Sequence, residues 1–580
     1  MRALFALILL ATLAVFPAAA QTQADPEAAT GWVPKPLATG QRHMIAAAHP
    51  AAAEAGRETL RRGGSAADAA IAALLVLNVV EPQSSGIGGG AFALVHSAKG
   101  IASFDARETA PGGATPDMFM ASDGERMKFL DAVASGRSVG VPGLVRLFQA
   151  LHARHGKLAW ADLFGPAIAL AEGFQVGPRL AGLAERYRDR LAQADAATLF
   201  LPGGAPIAEG ATLRNPGLAA TFRMLADRGP EAFYSGALAG EIAAATRRGA
   251  VAGTLSAEDL AAYRVIERPA VCMVYRVQFR VCGMGPPSSG ATTVGQILGV
   301  LDRFKPTDFA PGEPHLWHLF AEASRLAYAD RALYLGDSDF VDVPVKGLLD
   351  PGYLAGRARL IHGFKAAEGK AAAGEPPWRE GALLAPDASP GTPGTTHLSV
   401  IDGDGLAIAL TASIETAFGS GRMAGGFLLN NQLTDFSFRP TGVDGNPVAN
   451  AVAPGKRPRS SMSPTIVYRT DTPEQPYILA GSPGGSRIPE YVAGALIAML
   501  DLGTDPAVAA ALGHVSHRNR SELALEAGAH PATLAEGLAA IGHKVITNAM
   551  ASGLHIIRIA PDGTLTGGAD PRREGTALAD

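Results

Sequence analysis

Cysteine is nearly absent: only Cys272 and Cys282 occur in 580 residues, and neither has a histidine partner or metal-ligand spacing nearby. That argues against a zinc site and a cysteine nucleophile. An excess of basic charge is lacking too, with Lys+Arg at 50, Asp+Glu at 54, a formal net charge of −4 and no Lys/Arg cluster interleaved with aromatics. Nucleic acid is thereby excluded as a partner, and a small molecule is expected instead. No internal repeat is visible, and beyond the first twenty residues no apolar run is long enough to cross a membrane. The glycines of GIGGGA (86–91) miss the third glycine of the G-x-G-x-x-G spacing, so no dinucleotide site and no cofactor is expected.

What is present suits a soluble globular protein: 47% hydrophobic and 18% charged residues, in a chain long enough for two or more ordinary domains or one large α/β body. The opening MRALFALILLATLAVFPAAA carries one arginine, an apolar run from Ala3 to Phe16 and the small-residue ending Ala18-Ala19-Ala20. It reads as a signal peptide over 1–20, cut before Gln21, and the run is short for the alternative of a retained anchor. The expected product is an exported protein, periplasmic or secreted, with no membrane span after signal removal. Export permits a disulfide, and VCMVYRVQFRVC reads as a short hairpin about Tyr275-Arg276 that sets Cys272 opposite Cys282. Two buried free thiols are the alternative.

Along the chain, Ser65 and Asp68 form a capping box that opens an alanine-rich helix ending near Glu81-Pro82. A glycine loop, strands, helical segments from about Asp117 to Ala262, the cysteine hairpin and an amphipathic helix HLWHLFAEASRLAYADRALYL follow. His315 and His318 in that helix lack a third ligand and read as a packing or surface pair, so no metal is expected. From Gly363 to Gly394 the composition shifts to Ala, Gly, Pro, Lys and Glu, as in a mobile connector. Beyond it lies a β-rich part with an apolar helix from about Pro489 to Leu500.

That part starts abruptly at PGTTHLSVIDGDGLAIALTAS (393–413). A turn at Asp402-Gly403-Asp404-Gly405 pairs Ile401 with Leu406 and brings Thr395 opposite Ala412, with Ser413 and Glu415 beside it. A threonine preceded by Gly394 can attack the carbonyl before it and leave, after hydrolysis of the ester, a chain beginning with Thr395. Its free α-amine, with a pKa of roughly 7.7–8.0, then serves as the general base. The plainer alternative is that Thr395 and Thr396 are β-formers opening an edge strand.

The stretches TTHLSVIDGDG, FGSG, LLNNQLTDFS, GKRPRSSMSPTIV, GSPGGSRI and GGADPR, with GGSAADAA, GIGGGAF, FDARETAP, SVGVPG, DLAAYRVIERP, PPSSG and AYADRALYLGDSDFV before them, resemble the γ-glutamyltransferase (glutathione hydrolase) family of N-terminal-nucleophile hydrolases. The resemblance covers essentially the whole mature chain. It implies an α/β (α+β) fold, a four-layer αββα sandwich formed jointly by a large subunit, 21–394, and a small subunit, 395–580, after self-cleavage between Gly394 and Thr395. It implies Thr395 as nucleophile, with the Ser413 hydroxyl beside it, and the backbone of Gly484 and Gly485 as oxyanion hole. Arg107, Ser460 and Ser461 match residues that bind the donor α-carboxylate, and Asp435, with Gln432 beside it, matches the acid that holds the α-ammonium. The implied partners are glutathione and other γ-glutamyl amides, with water, amino acids or peptides as acceptors, and the two subunits remain together as a heterodimer.

Two positions depart from the family pattern. Glu415 stands where well-known members have asparagine and is expected near the donor α-ammonium, and Phe436–Arg459 is shorter than the tyrosine-bearing lid of many bacterial members. The nearest rival is an acylase on the same fold that cleaves glutaryl-type amides, and a non-enzymatic exported binding protein is a further one. A serine hydrolase using Ser482 or Ser486 fails, because neither has glycine at both −2 and +2, and Pro483 has no N–H to offer after Ser482.

Overall fold

The computed structural model describes residues 29–305, 312–379, 381, 383–387 and 394–580. The expected signal peptide, 1–20, lies outside the described residues. Two antiparallel seven-stranded sheets stack face to face. One runs Ala38–Gly40, Leu565–Ala569, His555–Ile559, Pro476–Ala480, Thr465–Arg469, Phe279–Gly283 and Val271–Tyr275 in spatial order. The other runs Thr576–Ala579, Met44–Ala47, Thr395–Ile401, Ala407–Ser413, Gly90–Ser97, Gly100–Ala106 and Ile266–Arg268. Each sheet therefore takes strands from both sides of Gly394.

Three apolar clusters account for the four layers. Met44, Leu94, Ile401, Ile466, Leu479 and Ile557 fill the space between the sheets. On the outer face of the second sheet, Leu398, Val400, Ile408 and Leu410 pack on the helices Pro50–Arg61, Ala66–Val80 and Leu144–His155. On the outer face of the first, Val467, Ile478 and Ile556 pack on Gly290–Leu301, Pro314–Tyr334 and Ile488–Leu500. This is the αββα sandwich. The helix Ala66–Val80 is buried at every residue, and its Ser65 cap and Asp68 close the capping box read from the sequence.

The hairpin that carries Thr395 departs from the expected register. Ile401 pairs with Ala407, and Thr395 pairs with Ser413 rather than Ala412. The cause is Asp402: its Oδ1 accepts from the N–H groups of Asp404 at 3.0 Å and Leu406 at 3.1 Å, which widens the turn to take in Leu406. Nor does Thr395 open an edge strand. Thr395–Ile401 lies between Met44–Ala47 and Ala407–Ser413 and is buried throughout.

Within the segment read as a connector, Ala366 N–H donates to Ile541 O at 3.0 Å, Ala371 N–H to Asn519 Oδ1 at 2.8 Å and Gly374 N–H to Asp330 Oδ1 at 2.8 Å. Residues 388–393 of that segment lie outside the described residues. No helix among the described residues is long and apolar enough to cross a membrane.

Cys272, on the exposed edge strand, sits opposite buried Cys282, and the two are bonded with an S–S distance of 2.02 Å. Alkylation of the denatured, unreduced protein should therefore label no cysteine, and alkylation after reduction should label both. Because the closed loop is short, serine at both positions should cost about 2–3 kcal/mol at most, read from chemical denaturation.

Candidate active site

Strand alternation places the side chains of Ile401, Ala407 and Ala409 between the sheets and those of Leu398, Leu410 and Ala412 against the helices. By the same alternation Thr395 and Ser413 point inward as cross-strand neighbours at the end of the inter-sheet layer. The Ser413 hydroxyl donates to the Gly394 carbonyl oxygen at 2.6 Å and accepts from the Glu415 N–H at 2.8 Å. A donor fixed on a carbonyl oxygen polarises that carbonyl and gains strength as negative charge develops there. Thr395, on the other side of the same peptide, is only 4% exposed.

The backbone around this peptide is tight. A Cβ on Gly394 would lie 1.8 Å from Glu415 O, so only glycine fits there. Glu415 itself adopts φ 81°, a left-handed conformation that side chains other than glycine rarely take. Its N–H bond to Ser413 and the bond from Asn431 Nδ2 to its Oε2, at 2.8 Å, hold it in that conformation.

A cavity of about 610 Å³ opens in front of Thr395. Of the site residues named from the sequence, all but Gly394 and Gly484 line it. Gly484 and Gly485 have φ of 134° and 58° and lead into the helix Ile488–Leu500; a Cβ on Gly484 would meet the Tyr491 ring at 2.5 Å. Ser460 Oγ accepts from Met462 N–H at 3.1 Å, and Ser461 Oγ accepts from Arg331 Nη2 at 2.7 Å.

Arg107 and Asp435, expected to receive opposite ends of one zwitterion, are bonded to each other. Arg107 Nη2 donates to Asp435 Oδ2 at 2.5 Å, and Gln432 Nε2 donates to the same oxygen at 2.8 Å. The Pro458 and Arg459 carbonyls, each at 3.2 Å, take further Arg107 donors. Buried Glu108 stands 3.9 Å from Arg107 Nη1, and burial pushes its carboxyl up to about 8. Glu415 lines the same cavity, and its carboxylate accepts from Asn431, the residue that caps the short helical turn Gln432–Asp435.

Sequence reading missed part of this wall. Arg459 pairs with Asp387 at 2.8 Å, Tyr328 OH donates to Ser486 O, and Arg331 reaches Ser289 Oγ at 2.8 Å as well as Ser461. Tyr328 and Arg331 lie three residues apart on the helix Pro314–Tyr334, a spacing that puts both on one helix face and was readable from YADR. The reading of His318 also needs correcting. Glu322 and His543 stand beside it and make a group of three metal-capable donors. His318 Nδ1 lies 2.8 Å from His543 Nε2, its Nε2 lies 2.7 Å from His362 O, and Glu322 is committed to Arg325 at 2.9 Å. The group is satisfied by its own hydrogen bonds, and none of its members lines the cavity.

Two antiparallel sheets between helical layers, with a buried threonine opening a central strand behind a tightly held glycine, define the architecture of the N-terminal-nucleophile hydrolases. The Gamma-glutamyltranspeptidase family model matches residues 52–580, and the chain belongs to that family of enzymes. It is 36% identical to the Glutathione hydrolase proenzyme of Bacillus subtilis (strain 168), over 94% of this chain and 92% of that protein. It is 34% identical to the Acylase ACY 1 proenzyme of Pseudomonas sp. (strain V22), over 94% of this chain and 95% of that protein. The crystal structure of cephalosporin acylase from Bacillus halodurans superposes with a TM-score of 0.81 at 28% identity, covering 96% of this chain and 99% of that one.

Because Arg107 is only 1% exposed, removing its principal counter-ion leaves a buried charge poorly compensated. Asp435→Asn should destabilise the fold by about 3 kcal/mol or more, visible as a lowered thermal midpoint, while a change at exposed Arg439 should stay within about 0.5 kcal/mol.

Proposed function

We propose that the chain is an exported, self-processing γ-glutamyl amide hydrolase and transferase that works through an acyl ester on Thr395. The observation that carries this reading is the Ser413 hydroxyl on the Gly394 carbonyl, directly beside Thr395. In the uncut chain the Thr395 oxygen adds to the Gly394 carbonyl carbon, the C–N bond to Thr395 breaks, and the nitrogen takes up the proton. Water then opens the resulting ester, leaving a carboxylate on Gly394 and an amine on Thr395. Large and small subunits stay together because each sheet needs strands from both.

The new amine, near neutrality in its proton affinity, accepts the Thr395 hydroxyl proton as the oxygen attacks the γ-carbonyl of the donor. The backbone N–H groups of Gly484 and Gly485 stabilise the oxyanion, and the departing amine collects the proton. Water or an amino-acid or peptide amine resolves the acyl ester. Arg107, Ser460 and Ser461 hold the donor α-carboxylate, for which a guanidinium fork is suited. Asp435 and Glu415 bring negative charge to the α-ammonium. Glutathione is the donor that the likeness to glutathione hydrolases supports.

A second reading has its own observation: Asp435 is already engaged by Arg107 and Gln432, and acylases are among the relatives. A glutaryl amide keeps the carboxylate for Arg107 and has no ammonium to place. The two readings part on one comparison. If the first holds, a γ-glutamyl amide exceeds its glutaryl counterpart in kcat/KM, and Glu415→Asn narrows the gap; equal turnover of the two would replace the γ-glutamyl reading with the acylase one.

Maturation is tested by denaturing mass spectrometry of purified protein, which should show two chains, the smaller beginning at Thr395. Thr395→Ala should remain a single chain. Ser413→Ala, which loses one donor to the developing oxyanion, should slow cutting about 10²–10³-fold. A single intact chain from fully active wild-type protein would sink the mechanism.

A further inference from the structure

The cavity wall beyond the proposed oxyanion loop is more cationic than the donor chemistry requires. Arg107 and Arg459 are paired with Asp435 and Asp387, and Arg331 is spent on Ser289 and Ser461. Arg518 differs from these. Its Nη1 donates to Ser486 Oγ at 2.6 Å, its Nε has no hydrogen-bond partner among the described residues, and no described carboxylate comes within ion-pair distance of its guanidinium. Buried Glu490, the nearest acid, is turned toward the backbone, accepting from the N–H groups of His517 and Arg518 and from the Ser516 hydroxyl. Burial, and then the charge of Arg487, push the Arg518 guanidinium down to about 10, as expected for a cation short of counter-charge.

Position gives this unspent charge a direction. Ser486 follows Gly485, so Arg518 stands one residue beyond the backbone that would hold the scissile carbonyl oxygen. Beside Arg518 the cavity reaches the surface, where Lys370 and Arg520, which also line it, are exposed. In the proposed site the donor carboxylate already has Arg107, Ser460 and Ser461, so the group left for Arg518 is one on the amine half, which can leave by that opening. Arg518 and Asn519 are held at φ 47° and 54°, two consecutive left-handed residues, and Asn519 is anchored to Ala371 at 2.8 and 3.0 Å. Non-glycine backbone in that region persists where the surroundings impose it, and it clusters at ligand-binding sites.

Resting on the proposed amide chemistry of Thr395, we infer that Arg518 is the residue that binds a carboxylate on the amine half of the substrate, and so sets how strongly a carboxylate-bearing leaving amine or acceptor is preferred over one without it. The donor end and the leaving end are thus read by separate guanidiniums, Arg107 and Arg518.

Two chromogenic donors isolate this contact: γ-glutamyl-4-nitroanilide and γ-glutamyl-3-carboxy-4-nitroanilide, which differ by one carboxylate on the leaving amine. The quantity read is the ratio of their kcat/KM values, which is independent of how much of a variant is correctly folded. Arg518→Gln should shift that ratio against the carboxylated donor by about ten- to a hundredfold, and Arg518→Lys should recover part of the shift. An unchanged ratio in Arg518→Gln, with both donors turned over by the wild type, overturns this inference and leaves the proposed function standing. An equal shift from Arg520→Gln at the exposed rim also overturns it, because the general field and not Arg518 would then be reading the carboxylate. Wild-type failure on both donors overturns the proposed function, and this inference with it.

Discussion

Asp402 fixes the geometry on which the site depends. Its Oδ1 takes two N–H groups of the turn, and its Oδ2 takes the N–H of Ala66 at the start of the buried helix Ala66–Val80. One carboxylate thereby sets the length of the turn and ties it to the helical layer. Since side chains alternate along a strand, a slip of one residue would turn Thr395 or Ser413 out of the inter-sheet space toward the helices. The observed register puts both hydroxyls inward and adjacent, and it puts the Gly394 carbonyl in reach of Ser413. The strand cannot easily slip, because Ile401 fills the inter-sheet core while Leu398 and Val400 fill the helical one.

Charge sets the second constraint. A guanidinium as buried as Arg107 requires compensation, and Asp435 and two backbone carbonyls provide it. In the proposed donor site an α-carboxylate arriving at Arg107 would therefore compete with Asp435 for the same donors, and an α-ammonium would relieve that competition by giving Asp435 a partner of its own. A zwitterionic donor exchanges one internal ion pair for two intermolecular ones. A glutaryl donor supplies only the carboxylate and leaves Asp435 with less counter-charge. Donor selectivity in this scheme comes from the pair as a unit and not from either residue alone.

Much of this was legible in the sequence because it is local or periodic. The capping box of Ser65 and Asp68, the helix Ile488–Leu500 and the cysteine hairpin each announce themselves within a dozen residues. The register of the 395–413 hairpin was not, since a glycine-rich turn admits more than one length and the side chain that chooses among them also bonds to Ala66, far away in sequence. The same limit hid the pairing of Arg107 with Asp435 and the company of His318, whose neighbours His543 and His362 come from other parts of the chain. Individual site residues could be named from their family resemblance, but which charges spend themselves on one another is a property of the folded cavity.

The contact between Gly394 and Glu415 links the two reactions proposed for Thr395. Before cutting, Gly394 is pressed against Glu415 O so closely that no Cβ fits, Glu415 is held at positive φ, and the Gly394 carbonyl is gripped by Ser413. Strain of this kind costs on the order of 1–3 kcal/mol and persists only while the surroundings enforce it. In the proposed maturation, cleavage would free the Gly394 end to withdraw, and the chain's own peptide would be the first acyl donor to Thr395. That step would leave the Thr395 hydroxyl beside its own new α-amine, next to a serine already positioned for a carbonyl. On the proposed chemistry the substrate amide then takes the place of the chain's own amide before the same hydroxyl, and Arg107 and Arg518 would read its two ends.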